Sequence, residues 1–181
     1  MSKAVMLSIR PKWCEKIIGG EKTVEVRKNR PKLETPFKCY IYETQGWVEK
    51  DGIMAFRLGG RVIAEFTCDR INELETRSPV GSYYVKGEDQ PTTNDVARHS
   101  CLTLRDMHEY LQAGKGYGWH ISKLEIYDEP KELIEFHTWK KCKSCSKSGH
   151  ESTACIYDEN CMIPAAITKA PQSWCYVEED T

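Results

Sequence analysis

The sequence predicts an α+β domain. Five to seven strands form a sheet that curls into an open β-barrel, beside two main helices and a small zinc-stabilised insert. Three observations carry this expectation. Alternating or continuous apolar segments bounded by Gly and Pro recur along the chain, whereas helical periodicity appears at two distant places. The 181 residues, 40% hydrophobic and 29% charged, suffice for one core and are too apolar for a disordered chain. Four of the nine cysteines fall between positions 142 and 161, outside the strand pattern.

Ala4 to Ile9 reads as the first strand, and Pro11 at a favoured N1 position opens a helix over Lys12 to Ile18 that stops at Gly19-Gly20. Trp13 and Ile17, one turn apart, are its expected core contacts. Thr23 to Arg27 alternates with period two, so Val24 and Val26 point inward while Thr23, Glu25 and Arg27 share the other face. After a Pro-bounded loop (Asn29 to Pro36), Phe37 to Tyr42 is a strand. Gln45 to Leu58 is ambiguous, with Asp51-Gly52 as a turn. Arg61 to Cys68 is a strand, and Ser78 to Thr93, with two Pro and two Gly, reads as a long surface loop. Thr103 with Asp106 has the sense of a capping box opening a helix to Leu111, with Leu104, Met107, Tyr110 and Leu111 as its apolar stripe. Gly118 to Tyr127 and Ser173 to Val177 complete the strands.

The apolar run Ala4 to Ile9 is far shorter than the roughly 18–20 residues of a membrane helix, and Arg10 and Lys12 cut it off where a signal-peptide cleavage site would sit. A cytoplasmic, reduced location with no membrane partner is expected. An odd cysteine count fits that compartment, with Cys14, Cys39, Cys68, Cys101 and Cys175 as plain core residues. The net charge of −1 is unevenly spread: residues 1–40 carry +6 and residues 41–136 carry −6. A basic face on a neutral protein can hold phosphate locally, although the same residues can also form an ordinary solvated face.

Gly20-Glu21-Lys22-Thr23-Val24-Glu25-Val26-Arg27 resembles the G-x-K-x-x-E-x-R signature of the ASCH domain family, placed after a first strand (Leu7-Ser8-Ile9-Arg10-Pro11) and a short helix, as in that family. Gly60 to Phe66, Thr103 to Leu111 and Tyr117-Gly118-Trp119-His120-Ile121 resemble later elements in the same order. Pro171 to Glu178 looks like the returning strand of the phage and bacterial subset. The resemblance implies a PUA-like open barrel over residues 1–136 and 171–181, with residues 137–170 as a Cys-rich insert. It also implies a cleft beside the signature strand that binds RNA, a nucleotide or a nucleoside. Some small members resemble amidohydrolases of acylated cytidine or ribonucleases. The deacylating members carry threonine where Glu25 stands, so this chain departs from them.

The candidate ligand-binding residues are Arg10, Lys22, Glu25, Arg27 and Trp119. Glu25 and Arg27 lie about 7 Å apart on one strand face. Arg and Lys can hold phosphate or a base carbonyl while a carboxylate accepts from an exocyclic amine. The same groups can instead form an internal ion pair, Glu25 with Arg27 or Arg10. Trp119 and His120 alternate faces, so one of them can look into the cleft, where an aromatic ring would stack a base. Should the protein be a hydrolase of a modified nucleoside or RNA, Lys22 and Glu25 are the catalytic candidates.

Cys142, Cys145, His150 and Cys155 have the spacing C-x2-C-x4-H-x4-C, with Gly149 before the His. This zinc-knuckle spacing suits one tetrahedral Zn2+ of structural type. Cys161 is the alternative fourth ligand. Lys140, Lys141, Lys143 and Lys147 make the segment basic.

Overall fold

The computed structural model describes residues 3–76, 83–86, 93–112, 114–141 and 162–178. In chain order it contains β1 (Lys3–Ile9), α1 (Pro11–Ile18), β2 (Val24–Arg27), β3 (Phe37–Glu43), β4 (Gly46–Lys50), β5 (Ile53–Arg57), β6 (Arg61–Thr76) and β7 (Tyr83–Val85). There follow α2 (Thr93–Ser100), α3 (Leu104–Leu111), β8 (Gly116–Lys131), a 3-10 turn (Leu133–Glu135), β9 (His137–Lys141), β10 (Met162–Ala166) and β11 (Trp174–Glu178). One mixed sheet runs β11-β1-β3-β6-β8-β2, with β7 added to β6. The β1–β3 pair is parallel and its neighbours are antiparallel.

The α+β class is as the sequence predicts, but the sheet does not close into a barrel. Its two ends, β2 and β11, share no backbone ladder among the described residues. A side chain crosses between them instead: Arg27 of β2 donates through Nη2 to the Ser8 carbonyl of β1 (2.8 Å) and through Nη1 to the Ser173 carbonyl just before β11 (3.3 Å). With only four residues, β2 is too short to extend a ladder along that edge. The seam it leaves open becomes the cleft described below.

Three packed clusters surround the sheet. One joins α1 (Cys14, Ile17) to Leu7, Ile41, Phe66 and Trp119. A second packs Val24 and Val26 against Val96, Ala97, Met107 and Leu111 of α2 and α3, so the period-two reading placed both valines correctly. The third holds Met6, Tyr40, Phe136, Ile167 and Val177.

Several elements differ from the sequence expectation. The ambiguous stretch is a β4–β5 hairpin whose Asp51-Gly52 turn has positive φ at both residues (54° and 77°), as a type I′ turn requires. β6 and β8 are each 16 residues long and bend through register shifts. The expected surface loop contains β7 and ends where α2 begins, a third helix whose inward face is limited to Val96, Ala97 and Ser100. Cys14, Cys39 and Cys68 are buried, whereas Cys101 and Cys175 are partly exposed. No helix among the described residues is long and apolar enough to cross a membrane.

At α3 the capping box is complete: the Asp106 amide donates to Thr103 Oγ1 (3.0 Å) and the Thr103 amide donates to Asp106 Oδ2 (3.0 Å). Replacing Thr103 with Ala should therefore lower stability by about 1 kcal/mol in urea unfolding. An unchanged midpoint would mean that the cap contributes nothing here.

The cysteine-rich residues 142–161 lie outside the described residues. Their flanks pair as the antiparallel ribbon β9–β10, with Lys141 opposite Met162.

Candidate functional site

Gly20, at φ +74°, turns the chain out of α1 at little cost because it carries no Cβ. Two residues later Lys22 enters the interior, where it is 2% exposed. Its ammonium donates to the carbonyls of Val24 (2.9 Å) and Ser100 (2.8 Å) and lies 3.1 Å from Glu25 Oε2. Three acceptors thus meet the three N–H donors of an ammonium. Ser100 is the last residue of α2, and a cation at a helix C-terminus is favoured by the helix dipole. The helix absent from the sequence reading is what anchors the signature lysine.

Glu25 Oε1 lies 2.9 Å from Arg27 Nε, a close charge contact whose N–H is not aimed squarely at the oxygen. Burial by itself would push the Glu25 carboxyl up, but the Lys22 ammonium and the Arg27 guanidinium hold it below its ordinary value of 4.5. The result is a buried triad of one anion and two cations. Its geometry realises the ion-pair alternative for Glu25 with Arg27, with Lys22 as second partner in place of Arg10.

The triad forms the floor of a cleft of about 720 Å3 at the open seam. Ser8 and Ile9 from the end of β1, Arg10 between β1 and α1, Lys12 and Trp13 from α1, Asp106, Glu109 and Tyr110 from α3, and Pro171, Gln172 and Ser173 before β11 line the rest, together with Val26, Thr44 and Leu102. Ser8 ties the last wall in place by donating from Oγ to the Pro171 carbonyl (2.6 Å). Of the five residues expected to bind ligand, Arg10, Lys22, Glu25 and Arg27 come together here.

Trp119 does not. It is fully buried, edge-on to Phe37 at 5.8 Å, and lines no part of the cleft. Its strand position is directly opposite Glu25, so strand geometry puts both on one face. The ring, however, fills the core beneath the triad. The aromatic residues in the cleft are instead Trp13, read from the sequence as a core contact, and Tyr110, read as part of an apolar stripe; Tyr110 is 40% exposed. Lys12 Nζ sits 4.4 Å over the Trp13 ring and Lys28 Nζ 5.4 Å over that of Tyr110, both within cation–π range. A signal existed for Trp13, which lies beside Lys12 on the helix leading into the signature, but not for Tyr110, whose nearest Lys or Arg on α3 is Arg105, five positions away. The helical period alone could not say which way they face.

Tyr83 is buried and donates to the Gly114 carbonyl, while Tyr84 donates to Glu75, and neither lines the cleft. Among the described residues no three His, Cys, Asp or Glu side chains converge as a metal-ligand set, and the expected zinc ligands Cys142, Cys145, His150, Cys155 and Cys161 all lie outside those residues.

A mixed sheet left open at one seam, with a charged strand flooring a cleft in it, agrees with the PUA-like fold that the signature led us to expect. The family model of the ASCH domain matches residues 7–140, and the chain belongs to that family. Among solved structures it is similar to the ASCH protein of Zymomonas mobilis, at 15% identity and a TM-score of 0.54, covering 97% of this chain and 88% of that one. A point variant of that protein matches at 16% identity and a TM-score of 0.54 (98% and 92% covered), and a second at 15% and 0.55 (97% and 89%). These likenesses concern the fold. No curated protein matches the chain.

Proposed function

We propose that the cleft binds RNA or a nucleotide, with a base against Trp13 and Tyr110 and phosphate held at the rim by Arg10 and Lys12. One observation carries this reading: two cations and two aromatic rings with accessible surface converge on one cleft. Among the described residues neither Arg10 nor Lys12 has a carboxylate within ion-pair distance. The rim carboxylates are engaged elsewhere, Asp106 in the α3 cap and Glu109 with Arg105 at 2.9 Å. Aromatic faces with positive charge are what single-stranded nucleic acid requires, and an RNA-binding tendency of ASCH domains supports the same choice. The returning strand β11 supports placing the chain in the phage and bacterial subset.

The hydrolase alternative asks Lys22 or Glu25 to take a proton. Lys22 would need a free lone pair, yet its nitrogen faces three acceptors. A carboxylate held below its ordinary value is a weak base at neutral pH. Both observations favour a binding role, in which the triad shapes and rigidifies the floor.

The test is equilibrium binding of a short oligoribonucleotide and of nucleoside monophosphates across a salt series. Trp13→Ala should weaken binding by roughly 5- to 100-fold, as for one lost stacked base. Arg10→Gln should lower the slope of log affinity against log salt by about 0.7, one phosphate contact on a single strand. Wild-type protein that binds neither probe would overturn the proposal, as would affinity indifferent to both substitutions.

A further inference from the structure

Behind the signature turn lies a second depression, of about 530 Å3, lined by Thr23, Asp69, Arg70, His99, His120 and Ile121. It sits where β6 shifts register against β8 between Cys68 and Ile71. Such irregularities re-aim side chains at functional positions, and here Asp69 and Arg70 project outward, both exposed.

Arg70 is held in an unusual way. Its Nη2 lies 3.2 Å from His120 Nδ1, and His120 Nε2 contacts Asn72 Oδ1. A guanidinium can only donate, so Nδ1 must be the acceptor and Nε2 must carry the proton. His120 is therefore the neutral Nε2–H tautomer. Burial, followed by the Arg70 charge, pushes its pKa down to about 4, in keeping with that assignment. Most other well-positioned cations here, including Lys22, Arg27, Lys38, Arg57 and Lys115, rest on carboxylates. Arg70 has no ion pair among the described residues, and its neighbour Asp69 is not within pairing distance. A neutral ring orients the guanidinium without cancelling its charge. That is the arrangement an oxyanion needs.

The two sites share a wall. Lys22 faces the cleft and Thr23 the second pocket, while the Ser100 carbonyl accepts from Lys22 and the His99 carbonyl from the Thr23 amide (2.8 Å).

We propose that the pocket of Arg70, His99 and Thr23 binds a phosphate group, that of an RNA strand whose base occupies the cleft. This rests on the reading of the cleft given above. Arg70 makes the ionic contact, His120 is its positioning residue, and Asp69 opposes the anion.

The experiment compares a ten-nucleotide single-stranded RNA, a nucleoside monophosphate and inorganic phosphate on the full chain. Arg70→Gln should weaken the oligonucleotide roughly tenfold and lower its salt slope by about 0.7, leaving the monophosphate unchanged. Asp69→Asn should tighten the oligonucleotide. His120→Leu should weaken it in the wild-type background and have no effect in the Arg70→Gln background, which a general loss of structure would not reproduce. An oligonucleotide bound by the wild type with affinity and slope untouched by Arg70→Gln overturns the pocket and leaves the cleft standing. Wild-type protein that binds no RNA overturns the RNA phosphate in this pocket, and protein that binds neither RNA nor the monophosphate overturns the reading of the cleft as well. Inorganic phosphate then decides the pocket: shifts of the His99 ring resonances that vanish in Arg70→Gln support a free phosphate ligand, and their absence overturns it.

Discussion

Replacing Glu25 with Gln should destabilise the fold by about 3–5 kcal/mol, the largest effect expected of any side chain in the cleft. Lys22 and Arg27 are 2% and 6% exposed, and both close on the Glu25 carboxylate. Removing that charge leaves two cations in the interior with only carbonyls and the Ser173 hydroxyl as partners, and neither can move to water without breaking the contacts that join the signature turn to α2 and β2 to β1. Urea unfolding gives the loss directly. Adding Lys22→Met to Glu25→Gln removes one of the two stranded charges, so the double variant should recover part of the stability. A loss below about 1 kcal/mol, or strictly additive effects, would show that the triad is solvated and only weakly coupled.

The same triad fixes how stability depends on pH. The folded-state pKa of Glu25 lies below its value of 4.5 in the unfolded chain. Between the two values the unfolded state binds more protons, so stability rises with pH across that interval. The contribution is fully present above about 4.5 and is lost as pH falls through the folded value. Wild-type protein should therefore show a steep acid limb that is shallower in Glu25→Gln. Equal limbs in the two proteins would place the acid sensitivity elsewhere.

The parts of this site that were legible in the sequence are those governed by local rules. Alternation along residues 23–27 separates Val24 and Val26 from Glu25 and Arg27, and the capping box marks the start of α3; both are backbone periodicities that need no knowledge of the rest of the chain. What was not legible depends on distant partners. Arg27 reaches Ser173, 146 positions away, and Ser8 reaches Pro171, 163 positions away. No local pattern announces that these segments form one wall. α2 escaped because only Val96 and Ala97 supply its apolar face, too few for a periodic signal. Trp119 shows the same limit: strand parity puts it opposite Glu25, but the packing of Phe37 and Trp174 decides that its ring lies under the cleft rather than in it. Parity gives a face, and burial is settled by neighbours remote in sequence.

The second large effect concerns the cysteine-rich segment, where we propose one structural zinc. Protein purified under reducing conditions should hold about one Zn2+ per chain, and Cys142→Ser or Cys145→Ser should release it, because a C-x2-C pair supplies two of four tetrahedral ligands. Cys155 completes three. His150→Ala and Cys161→Ser separate the candidates for the fourth, since only loss of a true ligand weakens retention substantially. The segment spans 20 residues, 142–161, between strands that already pair at Lys141 and Met162. That ribbon fixes where the segment starts and ends, so a metal would have only these 20 residues to organise, and its binding free energy would be their folding free energy. Chelation should accordingly increase proteolysis within 142–161 while leaving the unfolding midpoint of the main sheet nearly unchanged. The Glu25→Gln change should do the reverse, lowering the midpoint with zinc retained below it. Elemental analysis that finds no metal in reduced protein would end the proposal.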